Sequence, residues 1–207
     1  MDKFLIIGSG DFCCPSDFKE RCVIACDGGL DHCAAHGIDP YRIIGDMDSV
    51  SPESLGHFKD RQMTVFPVKK DKTDIELGIE LAFELGAKDI VLTGVLSGTR
   101  LDHTLCNIQL LKKCADRGIA ARAINATNDI FLLKGGMSAD IADTGRYISV
   151  MPLCERAEGL TMTGFEYPLC GHTLELGTSL CVSNKISGKK GTVSLDKGVI
   201  AIISAED

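Results

Sequence analysis

Short apolar runs alternate with helical patterns over the first 130 or so residues, and this alternation constrains the fold more than any other feature. A Thr73-x-x-Glu76 capping box predicts the start of one helix, and apolar residues three to four apart predict another over about 102–117. The runs predicted to be strands are 4–7, 23–26, 43–44, 64–66, 90–93 and 120–124. Strand–helix alternation of this kind favours an α/β domain with a mostly parallel sheet and flanking helices.

The pattern changes near Lys134-Gly135-Gly136, where the helical periodicity stops. Short segments of alternating polarity follow, separated by glycines, and they predict a small all-β sandwich. The apolar pairs that define these segments are Leu160/Met162, Phe165/Tyr167, Leu174/Leu176, Leu180/Val182 and Val193/Leu195. We therefore expect two domains, residues 1–134 and residues 135–207.

Composition excludes several classes of protein. The 207-residue chain has a net charge of -7, which argues against a nucleic-acid binder or a protein that binds anionic membranes. No apolar stretch approaches the roughly 20 residues of a membrane span, so we expect a cytoplasmic protein. Its ten cysteines form no CxxC pair and no zinc-like cluster, which favours free thiols in a reducing compartment.

Three common nucleotide or nucleophile motifs are missing from the sequence. Gly8-Ser9-Gly10 matches half of a dinucleotide fingerprint, but position 13, where the third glycine would stand, is Cys13. Neither a GxxxxGK[ST] phosphate loop nor a GxSxG elbow occurs.

Carboxylates instead follow one predicted strand after another. Because the carboxyl ends of parallel strands meet at one edge of the sheet, these side chains are expected to converge there. The converging aspartates are Asp46, Asp48, Asp71, Asp74 and Asp102. Singly, each has an ordinary explanation as a turn or first-turn residue. Packed together, they would be protonated or would hold a cation, and Mg²⁺ suits such a group.

Cationic side chains are interleaved with these acids. Lys69, Lys70 and Lys72 precede the first predicted helix, and Arg100 stands just before Asp102. Surface solvation is the ordinary role of such lysines, whereas a guanidinium at a strand end can clamp a phosphate with two hydrogen bonds. Phosphoryl chemistry with a carboxylate-held metal is the function these residues favour.

Four motifs, in this order and spacing, resemble those of the thiamine pyrophosphokinases. They are CDGG at 26–29, IIGDMDS at 43–49, KKDKTDIELGIELA at 69–82 and GTRLDHTLCNIQLL at 98–111. Tyr167-Pro168-Leu169 and Val182-Ser183-Asn184 extend the resemblance into the second domain. The resemblance implies an enzyme that uses Mg²⁺ as cofactor and converts ATP and thiamine into AMP and thiamine diphosphate. It also implies a homodimer whose site is completed across the interface, with the β-sandwich serving thiamine binding and dimerisation.

The resemblance also implies roles for individual residues. Metal binding would fall to Asp46, Asp48, Asp71 and Asp74. ATP binding would fall to Ser9, Asp27, Gly28, Gly29, Asp46, Asp48, Lys72, Thr73 and Arg100. Thiamine binding would fall to Asp102, His103, Asn107, Ser183 and Asn184. The catalytic set would be Asp71, Asp74, Asp102 and Arg100.

The sequence departs from the family pattern at two points. Gly98-Thr99 replaces the glycine pair that usually precedes RLDH, and the chain has no tryptophan to stack on thiamine. Phe165 or Tyr167 in the second domain could take its place against the thiamine ring, but we expect both to lie in the core of that domain. Two alternative functions share the predicted site: a Mg²⁺-dependent nucleotide hydrolase, and a non-enzymatic regulatory module that binds nucleotide or thiamine.

Overall fold

The structure, a computed structural model, describes residues 2–65 and 71–206 of a chain that divides into two compact units, 1–126 and 127–207. The division falls earlier than the boundary predicted at residue 134. The reason is strand pairing: Asn128–Lys134 forms a strand that pairs along its whole length with the last strand, Val199–Ala205. Residues 127–134 therefore belong to the C-terminal unit.

The described part of the N-terminal unit contains a sheet of six parallel strands. They are β1 (Lys3–Ile7), β2 (Cys22–Cys26), β3 (Arg42–Gly45), β4 (Met63–Val65), β5 (Asp89–Thr93) and β6 (Ala120–Ile124). Their order across the sheet is β4-β3-β2-β1-β5-β6, and every neighbouring pair runs parallel. The predicted α/β fold is confirmed; Phe66, the last residue of the predicted 64–66 run, lies outside the described residues.

Four α-helices flank this sheet in the described ranges. They are α1 (Gly29–His36), α2 (Pro52–His57), α3 (Asp74–Glu84) and α4 (Leu101–Asp116). The predicted capping box is confirmed, because the Thr73 side chain accepts a hydrogen bond from the Glu76 amide at 3.3 Å. Gly86 and Gly118, at φ 85° and 69°, follow α3 and α4 in the left-handed conformation expected of residues that end helices.

The two faces of the sheet are covered by different helices. Leu30 and Cys33 of α1 and Phe58, which ends α2, pack against Leu5 and Val23 on one face. On the other face, α3 contacts β1, β2 and β3. Because β1 lies between β2 and β5, strand order reverses at β1, and α/β sheets bind their ligands in the crevice at such a reversal.

The C-terminal unit is all β. Its strands are β7 (Asn128–Lys134), β8 (Met137–Ala142), β9 (Tyr147–Pro152), β10 (Arg156–Thr163), β11 (Leu169–Glu175), β12 (Lys190–Leu195) and β13 (Val199–Ala205). Within this unit β7, β13 and β9 pair antiparallel, as do β11, β10, β12 and β8. Side chains of both groups meet in one core that contains Ile148, Leu160, Val193 and Ile200, as the predicted sandwich requires.

Two of the predicted segments in this unit are not strands. Leu180 and Val182 lie in turns, and Phe165 only forms an isolated bridge with Ile186. Phe165 is buried as predicted, but Tyr167 is 70% exposed, so the expectation that it lies in the core is wrong.

All ten cysteines are free thiols, in agreement with the sequence prediction. Among the helices of residues 2–65 and 71–206, none has the combined length and apolar character that crossing a membrane requires.

Candidate active site

A cleft of about 660 Å³ lies at the carboxyl edge of the parallel sheet. Its walls are built from residues that follow β1, β2, β3 and β5, together with the N-termini of α3 and α4. Predicted site residues that line it are Ser9, Asp27, Asp46, Asp71, Lys72, Thr73, Asp74, Arg100, His103 and Asn107. Of the five aspartates expected to converge, Asp46, Asp71 and Asp74 line the cleft, whereas Asp48 and Asp102 are not among its lining residues.

Three aspartates form the closest carboxylate group in the described residues. One oxygen each from Asp27, Asp46 and Asp48 lies within 4.8 Å of the others. Asp27 was predicted to bind ATP and was not among the expected metal ligands. Asp71 and Asp74 were expected to be metal ligands; they line the cleft but do not belong to this group of three.

Backbone geometry brings Asp27 to the other two. Its amide donates to the carbonyl of Ile44 at 2.8 Å, so the end of β2 is tied to the end of β3. Gly45 lies against it, with φ 148°, and a Cβ there would stand 3.1 Å from the Cα of Asp27. Asp27 itself and Met47 adopt left-handed backbone with φ 49° and 63°. Such conformations in non-glycine residues are concentrated at functional sites.

The two oxygens of Asp27 are in different situations. Oδ2 accepts a hydrogen bond from the hydroxyl of Ser49. Oδ1 is buried and has no hydrogen-bond partner within the described residues. A buried carboxylate oxygen without a donor is costly unless a cation neutralises it. The donor set, three neighbouring carboxylates of which Asp27 and Asp46 line the cleft, fits a hard divalent cation that takes oxygen ligands.

Like-charge repulsion is visible at Asp48. Its pKa is raised, first by the negative charge of Asp46, then by a hydrogen bond with Asp46 and by partial desolvation. Asp27 and Asp74 add smaller repulsions. Asp74 is therefore electrostatically part of the acidic wall although its oxygens lie outside the closest group. A positive ion placed here would relieve this repulsion.

Lys72 and Thr73 enter the cleft from the turn before α3. Lys72 forms an ion pair with Glu80, with 2.6 Å between Nζ and the carboxylate oxygen, and Lys113 of α4 pairs with the same carboxylate at 2.8 Å. These two lysines lower the pKa of Glu80. Thr73 is occupied as the helix cap, so its side chain positions the start of α3.

Arg100 and Asp102 face each other at the start of α4. The guanidinium donates from Nη2 at 2.6 Å and from Nε at 2.9 Å to the two oxygens of Asp102. This hydrogen bonding lowers the pKa of Asp102 to about 2, which makes the carboxylate a poor base while the pair persists. Arg100 lines the cleft, whereas Asp102 does not belong to the expected aspartate cluster.

His103 and Asn107 follow one another along α4 on the cleft side. His103 is exposed, and Asn107 is buried with its amide donating to the carbonyl of Val95 at 3.0 Å. Asn107 thus ties α4 to the segment after β5, and only part of its hydrogen-bonding capacity is used by that contact.

The glycines of the CDGG motif serve close packing within the chain. A Cβ at Gly29 would lie 2.0 Å from the carbonyl oxygen of Ile7, and one at Gly28 would lie 2.9 Å from Cβ of Ser9. Only glycine lets α1 begin this close to the end of β1. Gly28 and Gly29 therefore shape the wall that carries Ser9 and Asp27.

Ser183 and Asn184 lie in the C-terminal unit. Ser183 is exposed, has φ 61°, and donates its amide to Ser149 at 3.0 Å. The Asn184 side chain is buried and holds the backbone of Tyr167, donating to its carbonyl at 2.8 Å and accepting from its amide at 3.1 Å. Asn184 is thus committed to loop structure, while Ser183 and Tyr167 are exposed.

Sequence reasoning missed the role of Ser49. The signal was present in the motif IIGDMDS, whose last residue is the donor to Asp27. It also missed Ser97 and Cys26, which line the cleft without belonging to any charged pattern.

Comparison with known proteins gives a consistent result over both units. A family model described as "Thiamin pyrophosphokinase, catalytic domain" matches residues 18–123, and one described as "Thiamin pyrophosphokinase, vitamin B1 binding domain" matches residues 138–200. A curated relative named thiamine pyrophosphokinase, from Bacillus subtilis (strain 168), is 35% identical over 174 residues, which cover 83% of this chain and 81% of the relative.

Solved structures agree with the sequence comparison. The crystal structure of thiamine pyrophosphokinase from Bacillus subtilis has a TM-score of 0.89 at 32% identity, covering 99% of this chain and 100% of that one. The thiamin pyrophosphokinase from Geobacillus thermodenitrificans has a TM-score of 0.86 at 30% identity, covering 99% and 97%.

Proposed function

This chain belongs to the thiamin pyrophosphokinase family, and from that premise we propose how its cleft transfers a pyrophosphoryl group from ATP to thiamine. The enzyme converts ATP and thiamine into AMP and thiamine diphosphate. The thiamine hydroxyl oxygen forms a bond to the β-phosphorus, the bond from that phosphorus to the oxygen of the α-phosphate breaks, and AMP leaves. The hydroxyl proton is lost in the same reaction.

Two facts about Asp27 carry the proposal: its Oδ1 is buried without a hydrogen-bond partner in the described residues, and one of its oxygens lies within 4.8 Å of oxygens of Asp46 and Asp48. Asp27 and Asp46 line the same cleft as Lys72 and Arg100. We propose that Asp27, Asp46 and Asp48 hold Mg²⁺, with Asp71 and Asp74 close by. The bound ion supplies neutralisation of the charge on the phosphates, which phosphoryl transfer needs more than covalent chemistry.

The two cationic side chains of the cleft are proposed to bind the phosphates of ATP. In the structure each is paired with an exposed or half-exposed carboxylate, Lys72 with Glu80 and Arg100 with Asp102. Pairs of this kind contribute roughly 0–1 kcal/mol in water. A polyphosphate, which carries more charge than a single carboxylate, can therefore take over either cation at small cost.

Exchange of partners at Arg100 would change the chemistry of Asp102. While Arg100 donates to it, Asp102 has a pKa of about 2, and both of its oxygens are occupied by the guanidinium. Transfer of the guanidinium to a phosphate removes the largest cause of that low pKa. In this proposal, binding of ATP is what makes Asp102 available to orient the thiamine hydroxyl or accept its proton.

The thiamine side of the site is proposed to need two subunits. Ser183, exposed in the C-terminal unit, and the acidic cleft of the N-terminal unit would act together in a homodimer, with Ser183 of the partner subunit reaching thiamine. The family resemblance supports this part of the proposal. Mixing two inactive variants, Asp46→Asn and Ser183→Trp, tests it: recovered activity is expected in the mixture, and its absence after subunit exchange would contradict a shared site.

The reaction itself is tested by incubating the protein with Mg²⁺, ATP and thiamine and then resolving the products. We expect AMP and thiamine diphosphate in equal amounts and no AMP without thiamine. Thiamine-independent release of phosphate would identify a nucleotide hydrolase instead. Binding of either reactant without turnover would identify a regulatory module.

A further inference from the structure

Residues 8–13, here called the β1 loop, form one wall of the cleft through Gly8, Ser9 and Gly10. The loop follows β1 directly and lies between the segment after β5 on one side and α1 on the other. Its shape decides where the backbone and hydroxyl groups of Ser9 stand. What fixes that shape is therefore relevant to the binding of ATP, and this inference rests on the function proposed above.

The β5 side holds the loop mainly through backbone contacts. The amides of Gly8 and Gly10 donate to the carbonyls of Thr93 and Gly94 at 2.8 and 2.9 Å. Farther along, the buried hydroxyl of Thr93 bonds both the amide and the carbonyl of Cys13 at 2.9 Å. These contacts fix the two ends of the loop and leave the peptide unit between Gly10 and Asp11 to be oriented.

That peptide unit is held at both of its polar ends. Its N–H, on Asp11, donates to the hydroxyl of Ser97 at 2.6 Å, and its carbonyl, on Gly10, lies 2.7 Å from Nε2 of His32 on α1. A carbonyl oxygen can only accept, so Nε2 of His32 carries the hydrogen. The peptide cannot turn over without breaking both hydrogen bonds.

Aromatic packing keeps His32 in place. The ring of Phe12, from the same loop, stacks on His32 at 5.4 Å between centroids with an interplanar angle of 20°. His36, one turn later on α1, covers Phe12 at 4.7 Å and bonds through Nδ1 to the backbone carbonyl of His32 at 3.0 Å. The imidazole of His32 is thus half-buried between its own helix and the loop that it bonds.

We propose that His32 is a positioning residue for ATP: by donating to the Gly10 carbonyl, it fixes the β1 loop in the shape that binds the polyphosphate through Ser9 and Gly10. His32 does not line the cleft, so it acts through the loop. A residue of this kind affects binding of the ground state and the transition state alike, and its loss raises KM while kcat is retained.

The test compares His32→Leu, which removes the donor, with His32→Gln, whose side-chain amide can still donate. We expect His32→Leu to raise the KM for ATP about tenfold, the effect of losing one hydrogen bond, with kcat and the KM for thiamine within twofold of the parent. His32→Gln is expected to recover most of the loss. Calorimetric binding of the unreactive analogue α,β-methylene-ATP should weaken by the same factor.

The matched control is His57→Leu, which makes the same change at an exposed histidine at the end of α2 whose ring packs on Phe58; its KM for ATP should be unchanged. If His32→Leu fails to fold, Ser97→Ala takes its place, because it releases the other end of the same peptide, and the same rise in KM is expected.

An unchanged KM for ATP in the folded donor-removing variant would overturn the inference. Equal loss in His32→Leu and His32→Gln would do the same, because the donor would then not matter. Failure of the proposed function is distinguishable: the parent protein would then form no thiamine-dependent AMP at all.

Discussion

The hydroxyl of Ser49 donates a hydrogen bond to Oδ2 of Asp27, so the turn after β3 orients the carboxylate that follows β2. Oδ1 of the same carboxylate is buried and has no hydrogen-bond partner within the described residues, and one oxygen of Asp27 lies within 4.8 Å of an oxygen of Asp46 and of Asp48. Ser49 thus connects two sequence motifs, since its partner Asp27 lies 22 positions earlier in the chain.

Loss of this hydrogen bond is predicted to impair catalysis more than folding. In Ser49→Ala, Asp27 loses its orienting donor, and loss of such outer contacts to metal ligands typically costs about 10–100-fold in activity or metal affinity. Initial rates measured over a Mg²⁺ titration check this prediction. An unaltered Mg²⁺ dependence in the variant would show that Ser49 has no such role.

Ser51→Ala is the matched control for Ser49→Ala. Ser51 caps α2 by accepting from the amide of Ser54 at 3.2 Å and bonds Asp31 at 2.7 Å, outside the cleft. Its removal should reduce the free energy of unfolding by about 1 kcal/mol, the usual effect of losing an N-cap, and leave the Mg²⁺ dependence of the rate unchanged.

The pair between Arg100 and Asp102 predicts a specific titration behaviour. The pKa of Asp102 in the folded protein, about 2, lies below its ordinary value of 3.8, so the interaction stabilises the fold above pH 3.8 and is lost as the pH falls towards 2. In Arg100→Gln the midpoint should rise towards the ordinary value. Carbon-13 NMR of the carboxyl groups measures it directly.

Arg117→Gln controls for the change of charge on α4. Arg117 follows the same helix at its other end, where its guanidinium covers the ring of Phe83 at 4.5 Å. Asp102 should keep a midpoint near 2 in that variant. A midpoint near 2 in Arg100→Gln as well would mean that Arg100 is not the cause of the low pKa.

Gly78 is predicted to be required by the packing of α3 on the sheet. A Cβ at this position would lie 2.8 Å from the sulfur of Cys26 and 3.2 Å from Cγ2 of Ile6, both fully or almost fully buried. Gly78→Ala should therefore lower the free energy of unfolding by about 1–3 kcal/mol, the range for overpacked cores. Urea unfolding is the measurement.

Gly56→Ala makes the same chemical change, but it is expected to raise the free energy of unfolding. Nothing lies within 4 Å of a Cβ built at Gly56 in α2, and alanine is favoured over glycine inside a helix by about 0.5–1 kcal/mol. The unfolding midpoint should rise for Gly56→Ala and fall for Gly78→Ala. Equal midpoints would contradict the proposed packing of α3.

Removal of single carboxylates from the acidic wall is predicted to reduce turnover strongly. Asp46→Asn and Asp71→Asn should each lower it by well over tenfold, because contacts to the metal and the transferring group contribute several kcal/mol. The melting temperature should stay equal or rise, since like-charge repulsion is relieved. Asp60→Asn, an exposed site outside the cleft, serves as control. Near-parental turnover in Asp46→Asn would remove Asp46 from the metal site, and near-parental turnover in Asp71→Asn would show that the reaction does not need Asp71.

The parallel sheet and the edge that carries the site could be predicted from the sequence, for local reasons. Buried parallel strands appear in the sequence as short apolar runs. The start of α3 can be predicted from the capping contact between Thr73 and Glu76, which lie within four residues of each other. Once strands are known to be parallel, their carboxyl ends must share an edge. The approach of Asp27, Asp46, Asp71 and Arg100 to one cleft follows from topology alone.

The arrangement of side chains within the cleft could not be predicted in the same way. Asp27 joins Asp46 and Asp48 because its backbone is left-handed and Gly45 lies against it, and both depend on how β2 and β3 pair. Asp102 turns towards Arg100 and not towards the other aspartates. The two units divide after residue 126 and not at the predicted residue 134, because β7 pairs with β13. These strands are more than 60 residues apart in the chain, and no local pattern reveals their pairing.

The most direct test of the proposed site is the single-turnover rate of thiamine diphosphate formation as a function of Mg²⁺ in Asp27→Asn. The variant keeps the size of the side chain and removes the negative charge of the carboxylate, whose Oδ1 is buried without a hydrogen-bond donor in the described residues. We predict a maximal rate reduced by well over tenfold and a higher Mg²⁺ concentration at half-maximal rate, with an unchanged or raised melting temperature. A parental rate with parental Mg²⁺ dependence would contradict the assignment of Asp27, Asp46 and Asp48 as the metal-holding wall of the cleft.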